Sequence, residues 1–301
     1  MFRFLSLSLS FILGCLLLFS LVVEAEENSW SYTIRDAVGD DYGPGNYQYP
    51  ENKIFAPYEG LFDIKKFSIK ESGENYILEF EFVKITDPWQ SNFGFSLPLI
   101  EIYIDNGEGG STELIEKGAN VKLDPDYPWN KMLKLSGWWL LLYDNNIDTD
   151  EIVSIDGDVM QSKWQVEDSE VKRKDNLIRV KLPREEIGEM SNSHIQLLVG
   201  SFDPFGPGHF RESSDEPSNW KFYTPTLENP TKATRVIDTI LPNNLNQEQI
   251  LATDNDKLPQ MAAIKLKKAD PKIKYNIVQS PFFYLVLIVF ITSIIVFKRK
   301  A

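Results

Sequence analysis

Cysteine is almost missing from this chain. Among its 301 residues only Cys15 occurs, inside an N-terminal apolar run. If that run is removed after Ala25, the mature protein has no disulfide and no thiol chemistry, and its stability rests on core burial. Histidine is nearly as scarce, with only His194 and His209. No HExxH, no GxSxG, no phosphate-cradling glycine loop and no Cys/His cluster is found, so the usual zinc, serine-nucleophile and nucleotide chemistries have no carriers. Haem is disfavoured for the same reason, because axial ligation draws on His, Met or Cys. Positive charge is also short: 31 Lys and Arg face 44 Asp and Glu, a formal net charge of −13. That balance argues against nucleic acid or an anionic membrane surface as a partner. It suits divalent cations. The many carboxyls leave a two-carboxylate glycosidase arithmetically open, without a motif to support it.

Long apolar runs stand only at the two ends. Met1-Phe2-Arg3 opens a run that closes on Val23-Glu24-Ala25, the form of a signal peptide over residues 1–25. Phe282 to Phe297 is uncharged and apolar and is followed by Lys298-Arg299-Lys300. Ser280 is placed to cap a helix that begins with Pro281. This pattern predicts a transmembrane helix over 281–297 and a cytoplasmic tail over 298–301. The expected topology is a single-pass protein of the cell membrane with everything between the two runs outside the cell.

Helical periodicity is rare between these ends, and a period of two dominates. Asn75–Ile85 (NYILEFEFVKI) sets Tyr76, Leu78, Phe80 and Phe82 against Glu79 and Glu81, and Asn176–Pro183 (NLIRVKLP) alternates in the same way. Both are half-buried strands. Leu99–Asp105, Trp138–Tyr143 and Ile195–Phe202 are more continuously apolar, as strands covered on both faces are. Turn residues separate these segments, for instance Glu71-Ser72-Gly73 and Lys174-Asp175-Asn176. One short helical hint falls at Arg184–Met190, and Val236–Pro242 reads as a last edge strand. The fold class is all-β, an antiparallel β-sandwich of immunoglobulin-like or carbohydrate-binding-module-like form over residues 26–266, then a stalk over 267–280.

Acidic residues cluster in Ile34–Pro50 (IRDAVGDDYGPGNYQYP). Clustered carboxylates repel unless solvated, protonated or bound to a metal. Ca²⁺ takes several oxygen ligands, so Asp36, Asp40 and Asp41 are candidate ligands, against the plainer reading of a solvated turn. Asp144–Glu151 (DNNIDTDE) has EF-hand-like odd spacing, but Thr149 stands where Gly is wanted. It is not an EF-hand. The chain has seven Trp, and indole faces stack on the C–H faces of sugars. Trp89 and Trp129 lie in loop-like stretches and are candidate sugar contacts with Tyr47 and Tyr49. Trp138 and Trp139 open an apolar segment and read as core.

Asp36-Ala37-Val38-Gly39-Asp40-Asp41-Tyr42-Gly43-Pro44-Gly45, with Tyr47-Gln48-Tyr49-Pro50, resembles the opening motif of the glucodextranase C-terminal domain family. Leu61-Phe62-Asp63-Ile64, Ile102-Tyr103-Ile104-Asp105, Ser136-Gly137-Trp138, Ser201-Phe202-Asp203-Pro204-Phe205-Gly206 and Val236-Ile237-Asp238 follow in the family's order. The resemblance covers about residues 33–266. It implies a sandwich of the kind found on cell-surface amylases, pullulanases and glucodextranases, with bound Ca²⁺ as an option and carbohydrate or envelope glycan as the ligand. In the family the module is usually joined to a catalytic domain, which this chain lacks. The expectation is therefore a tethered, non-catalytic glycan-binding module, partnered by a polysaccharide and in some settings by a separate surface glycoside hydrolase. The rival expectation is a structural protein that docks onto a surface layer or another envelope subunit.

Overall fold

The computed structural model describes residues 30–146, 165–225, 230–253 and 257–267, all within one compact unit, Met1–Lys268. The expected signal peptide, transmembrane helix, cytoplasmic tail and all but the first residue of the stalk lie outside the described residues. Among the described residues, no helix is long and apolar enough to cross a membrane.

Two antiparallel sheets make the body. The first has the order β1-β2-β3-β8-β7, from Ser31–Arg35, Ile64–Ser72, Asn75–Phe82, Leu177–Pro183 and Glu170–Lys174 respectively. The second runs β12-β9-β4-β5-β6, with β13 also paired to β9. Its strands are Val236–Asp238, His194–Ser201, Pro98–Asp105, Lys131–Leu135 and Leu140–Asp144, with β13 at Ile264–Lys265. A two-residue parallel pair, β10 (Ser213–Ser214) and β11 (Phe222–Tyr223), lies apart from both.

The alternating strands behave as their period requires. In β3 the apolar residues Tyr76, Leu78, Phe80 and Phe82 are buried, while the intervening residues are half-buried. The register sets Glu79 opposite Ser68 and Arg179, and Glu81 opposite Lys66. Glu81 holds Lys65 at 2.9 Å as well as Lys66, and Glu79 holds Arg179. The outer face of this sheet is thus a charged, wet surface. Its inner face meets Ile100, Ile102, Ile104, Leu133, Leu135, Leu197 and Val199 of the second sheet in one continuous core. Each fully buried side chain of this size contributes about 1.5–3 kcal/mol.

The second sheet is covered on both faces, as the unbroken apolar runs predict. Leu99, Tyr103, Met132, Leu141, Tyr143 and Leu198 point away from the main core into a second cluster. That cluster is closed by loop residues, among them Ile115, Val121, Leu123, Trp129, Phe210 and Met261. The long loops therefore form a third layer. The helical hint resolves into one turn, α1 (Arg184–Ile187), and a second turn, α2 (Gln247–Ile250), follows β12. The last edge strand is shorter than the Val236–Pro242 segment and ends at Asp238, whose carboxylate bonds backbone N–H groups.

Candidate cation site and aromatic plate

The acidic segment begins where β1 ends. The Asp36 N–H donates to the carbonyl of Lys65 at 3.0 Å, and the Gly43 N–H donates to the carbonyl of Ile237 at 2.9 Å. The loop is thereby held between β2 and β12. Gly39 and Gly43 carry φ of +88° and +59°, a left-handed backbone that glycine adopts freely. At Gly43 a Cβ would also meet the Tyr47 ring at 2.7 Å. Gly39 donates its N–H to Asp63 Oδ2 at 2.6 Å, which draws Asp63, the residue before β2, into the acidic turn.

Asp238 completes the group from β12. One of its carboxylate oxygens accepts from Ile64 N at 2.7 Å and the other from Thr239 N at 2.7 Å. Ligand oxygens of Asp36, Asp40 and Asp238 all lie within 4.8 Å of one another, the one such acidic or Cys/His group among the described residues. Gln247 of α2 braces the loop from behind. Its Nε2 donates to the carbonyls of Asp40 at 2.5 Å and Gly43 at 3.3 Å, and its Oε1 accepts from Thr239 N at 3.0 Å.

Among the described residues no ion pair reaches this cluster, although the charge of Lys65 partly offsets that of Asp63. Asp36 Oδ2, Asp40 Oδ1, Asp41 Oδ1 and Asp63 Oδ1 are buried without a hydrogen-bond partner. Burial, then the charge of Asp40, pushes the Asp36 carboxyl up to about 7. Burial does the same at Asp63, to about 6, with Asp41 and Asp40 adding repulsion against the Gly39 hydrogen bond. Burial, then Asp36 and Asp40, raises Asp238 far above the carboxylate range. An all-oxygen donor set of this kind fits a hard cation.

The sequence-expected ligands divide. Asp36 and Asp40 sit in the three-oxygen group. Asp41 stands outside it, accepting at Oδ2 from the Tyr49 hydroxyl and, at 3.3 Å, from Phe62 N. Asp238 enters instead, and Asp63 adjoins the group through its bond to Gly39 N. Both were visible in the sequence only as single acids in apolar stretches, Leu61–Ile64 and Val236–Asp238. Of the second acidic loop, Asp144 pairs with Lys131 at 2.7 Å, while residues 147–151 lie outside the described residues.

The expected sugar contacts divide too. Tyr47 is buried, with its hydroxyl donating to Thr234 O at 3.0 Å. Tyr49 is buried between Phe62 and Phe222. Trp129 is buried against Tyr103, its indole N–H donating to Glu113 O at 2.8 Å. None of these three offers an open ring face. Trp89 and Trp138 are part-exposed while packing against the second core cluster, Trp138 coming from the apolar run read as core. The two indoles lie 6.2 Å apart at 31° and both are half-buried.

Two loops bring them together. Phe93 N donates to Gly137 O at 2.9 Å, and a Cβ at Gly137 would fall 1.7 Å from the Phe95 carbonyl. Only glycine permits that approach. Behind the plate, Phe202 packs 4.8 Å from Trp138. The Arg211 guanidinium stands 5.9 Å from the Trp89 ring and 5.2 Å from Phe55. Arg211 is fixed by hydrogen bonds to Ser201 Oγ, Asp203, Phe202 O and Trp220 O. Trp220 itself is 47% exposed. The loop that carries Trp89 also borders a cleft of 610 Å³ lined by Asn92, Phe93, Arg173 and Arg179.

The family pattern described as the C-terminal binding-module, SLH-like, of glucodextranase matches residues 32–265. The chain belongs to that family. The match runs from β1 to β13, so the glucodextranase-type binding module accounts for both sheets, the acidic cluster and the aromatic plate together. Comparison with curated proteins returns no match. The family is one of binding modules and not of catalytic domains, in line with the absence of a catalytic motif in the sequence.

Proposed function

We propose that this protein is a non-catalytic carbohydrate-binding module, displayed outside the cell on a C-terminal membrane anchor and ordered by Ca²⁺. The ligand is a polysaccharide or an envelope glycan. The observation that carries the reading is the Trp89–Trp138 plate. Two part-exposed indoles are held at fixed tilt by Phe202 and an Arg211 fixed by four hydrogen bonds, and such a surface is preorganised for the C–H faces of successive sugar rings. The anchor rests on the apolar run 281–297 and its basic flank. Tethering many copies at one surface makes weak contacts useful through effective concentration. A separate surface glycoside hydrolase is the fitting companion, since the module has no chemistry of its own.

Retention of the purified full chain on insoluble α-glucans and on isolated cell wall tests this. Wild-type protein is expected to be retained on at least one of them. Trp89→Ala and Trp138→Ala are expected to weaken retention by about tenfold each, the loss of roughly one stacking contact, measured where each variant, destabilised by its lost core packing, is still folded. Folded wild-type protein that is retained by none removes the reading.

Docking to a surface-layer subunit is the second reading, favoured by Phe205, which is 97% exposed. Against it, the open sheet face bears the ion pairs of Glu79 and Glu81 with Lys65, Lys66 and Arg179, which is not an apolar docking patch.

A further inference from the structure

The geometry points to a single divalent-cation site built by Asp36, Asp40, Asp63 and Asp238, whose ion clasps the chain's first loop to the start of β2 and to the end of β12. It deepens the calcium part of the proposed function and rests on that part alone. The inference begins with an imbalance. Three carboxylate oxygens from separate stretches of chain converge within 4.8 Å, where like charges repel strongly. A second observation is independent of that convergence. Asp63 is only 1% exposed, one of its oxygens is fixed by Gly39 N, and the other is buried with no partner. Gly39 immediately precedes Asp40, so the Asp63 side chain is tied to the turn that carries the cluster, and its charge acts on Asp36 as that of Asp40 does. A buried polar atom left without a partner costs about 1–3 kcal/mol, more when charged, so one orphan calls for an explanation. Here Asp36 and Asp40 each add another. A cation satisfies them all at once.

The donor set selects the ion. All donors are oxygens, which excludes soft metals. They come from three separate chain segments, so a cation tolerant of variable geometry fits better than Mg²⁺, which demands a near-ideal octahedron. Asp238 accepts one N–H on each oxygen and keeps a free lone pair on each for the ion. Asp41 stands outside the three-oxygen group, although its Oδ1 is also buried without a partner. Its bonds to Tyr49 and Phe62 N orient the aromatic wall beside the site.

The test uses the full chain in detergent micelles, melted with excess Ca²⁺, with Mg²⁺ and with a chelator, and equilibrium dialysis counts bound Ca²⁺. One Ca²⁺ per chain is expected, with the midpoint raised by about 5–10 °C at a hundredfold excess over Kd. Limited proteolysis should cut the acidic loop faster in chelator. Asp36→Asn and Asp63→Asn should each lose the Ca²⁺-induced rise, while their chelated midpoints stand at or above that of chelated wild type, because each removes a repulsion. Should one variant fail to fold, the other decides by the same comparison. If wild type binds one Ca²⁺ but both folded variants keep the full rise, the ligand set is wrong and a calcium-ordered module survives elsewhere in the chain. If wild type binds no Ca²⁺ and melts alike in chelator, the clasp and the calcium reading fall together.

Discussion

Two regions of this molecule bury charge, and they do so in opposite ways. At the end of β1, Asp36, Asp40, Asp63 and Asp238 gather negative charge with no cation side chain among them. Across the second sheet, Lys134 of β5 is fully buried beside Glu101 of β4, with Nζ 3.2 Å from the Glu101 carboxylate. Glu116 closes on the same ammonium from the covering loop, and Gly208 O accepts from it at 3.0 Å. Burial pushes the Lys134 ammonium down, the Glu101 charge opposes that shift, and the Tyr103 hydroxyl donates to Glu101 at 3.0 Å. One network is complete within the chain; the other leaves carboxylate oxygens of Asp36, Asp40 and Asp63 buried without a partner among the described residues, which is the gap the proposed ion fills. The lesson is that a buried carboxylate by itself indicates nothing. Its partner, or the lack of one, separates architecture from a ligand site.

The sharpest way to break this comparison is to remove the internal counter-charge. Lys134→Met leaves Glu101 buried and unpaired and leaves Gly208 O without its donor. It is expected to lower stability by about 3–5 kcal/mol, read from urea unfolding in the presence of Ca²⁺. Adding Glu101→Leu should recover a good part of that loss, since an apolar pair of similar volume is often as stable as a buried ion pair. A Lys134→Met protein as stable as wild type would mean that the network contributes nothing to the third layer. The same substitution should leave Ca²⁺ stoichiometry untouched, which keeps the two regions distinct.

A smaller effect is expected at the border of the acidic cluster. Tyr49→Phe removes a hydroxyl that donates to Asp41 and accepts from Leu61 N at 3.1 Å. The ring stays packed on Phe62 and Phe222, so the loss isolates the hydrogen bonds. About 1–3 kcal/mol should go, by the same amount with Ca²⁺ and with chelator, since Asp41 is not counted among the ligands. A loss found only in Ca²⁺ would place Asp41 on the ion.

The contrast also explains what was legible from the sequence. The sandwich and most of its strands follow from alternation, because one sheet face is wet and the period of two is then written into β3 and β8. The acidic loop was legible as composition, but its partners Asp63 and Asp238 lie far along the chain, and only the sheet order brings them in. Tyr47 and Trp129 have the local look of exposed loop aromatics. Trp129 is buried because the covering loops fold back as a third layer, and Tyr47 because its loop enters the main core, tertiary facts with no local signature. Trp138 is the converse. Its apolar neighbours suggested core, and it does pack against the second cluster, but it precedes β6, which begins at Leu140, and stays half-buried. Glu101 was hidden in plain view inside an apolar strand, where a lone acid implies a buried partner without naming Lys134.

The last and smallest effect at neutral pH concerns His209, which ties the paired region to the aromatic one. Its ring lies 5.3 Å from Trp139 and 6.0 Å from Phe202. Burial first, and then the charge of Lys134, pushes its imidazole down to about 4. An ordinary histidine titrates near 6.5. The folded form therefore binds its proton less readily than the unfolded chain, and the stability this linkage supplies is present above about pH 6.5 and drains away as pH falls towards 4. Asn suits the φ of +60° found at this position, so His209→Asn removes the titration with little backbone strain. At pH 7.5 the two proteins should differ only by a constant offset from lost ring packing. Between pH 6.5 and 4 wild type should lose stability more steeply than the variant, in melts with Trp fluorescence as the readout. Parallel curves across that window would show that His209 is hydrated and charged in the folded protein, and that the third layer is open to water where it meets Phe202 and the plate beyond it.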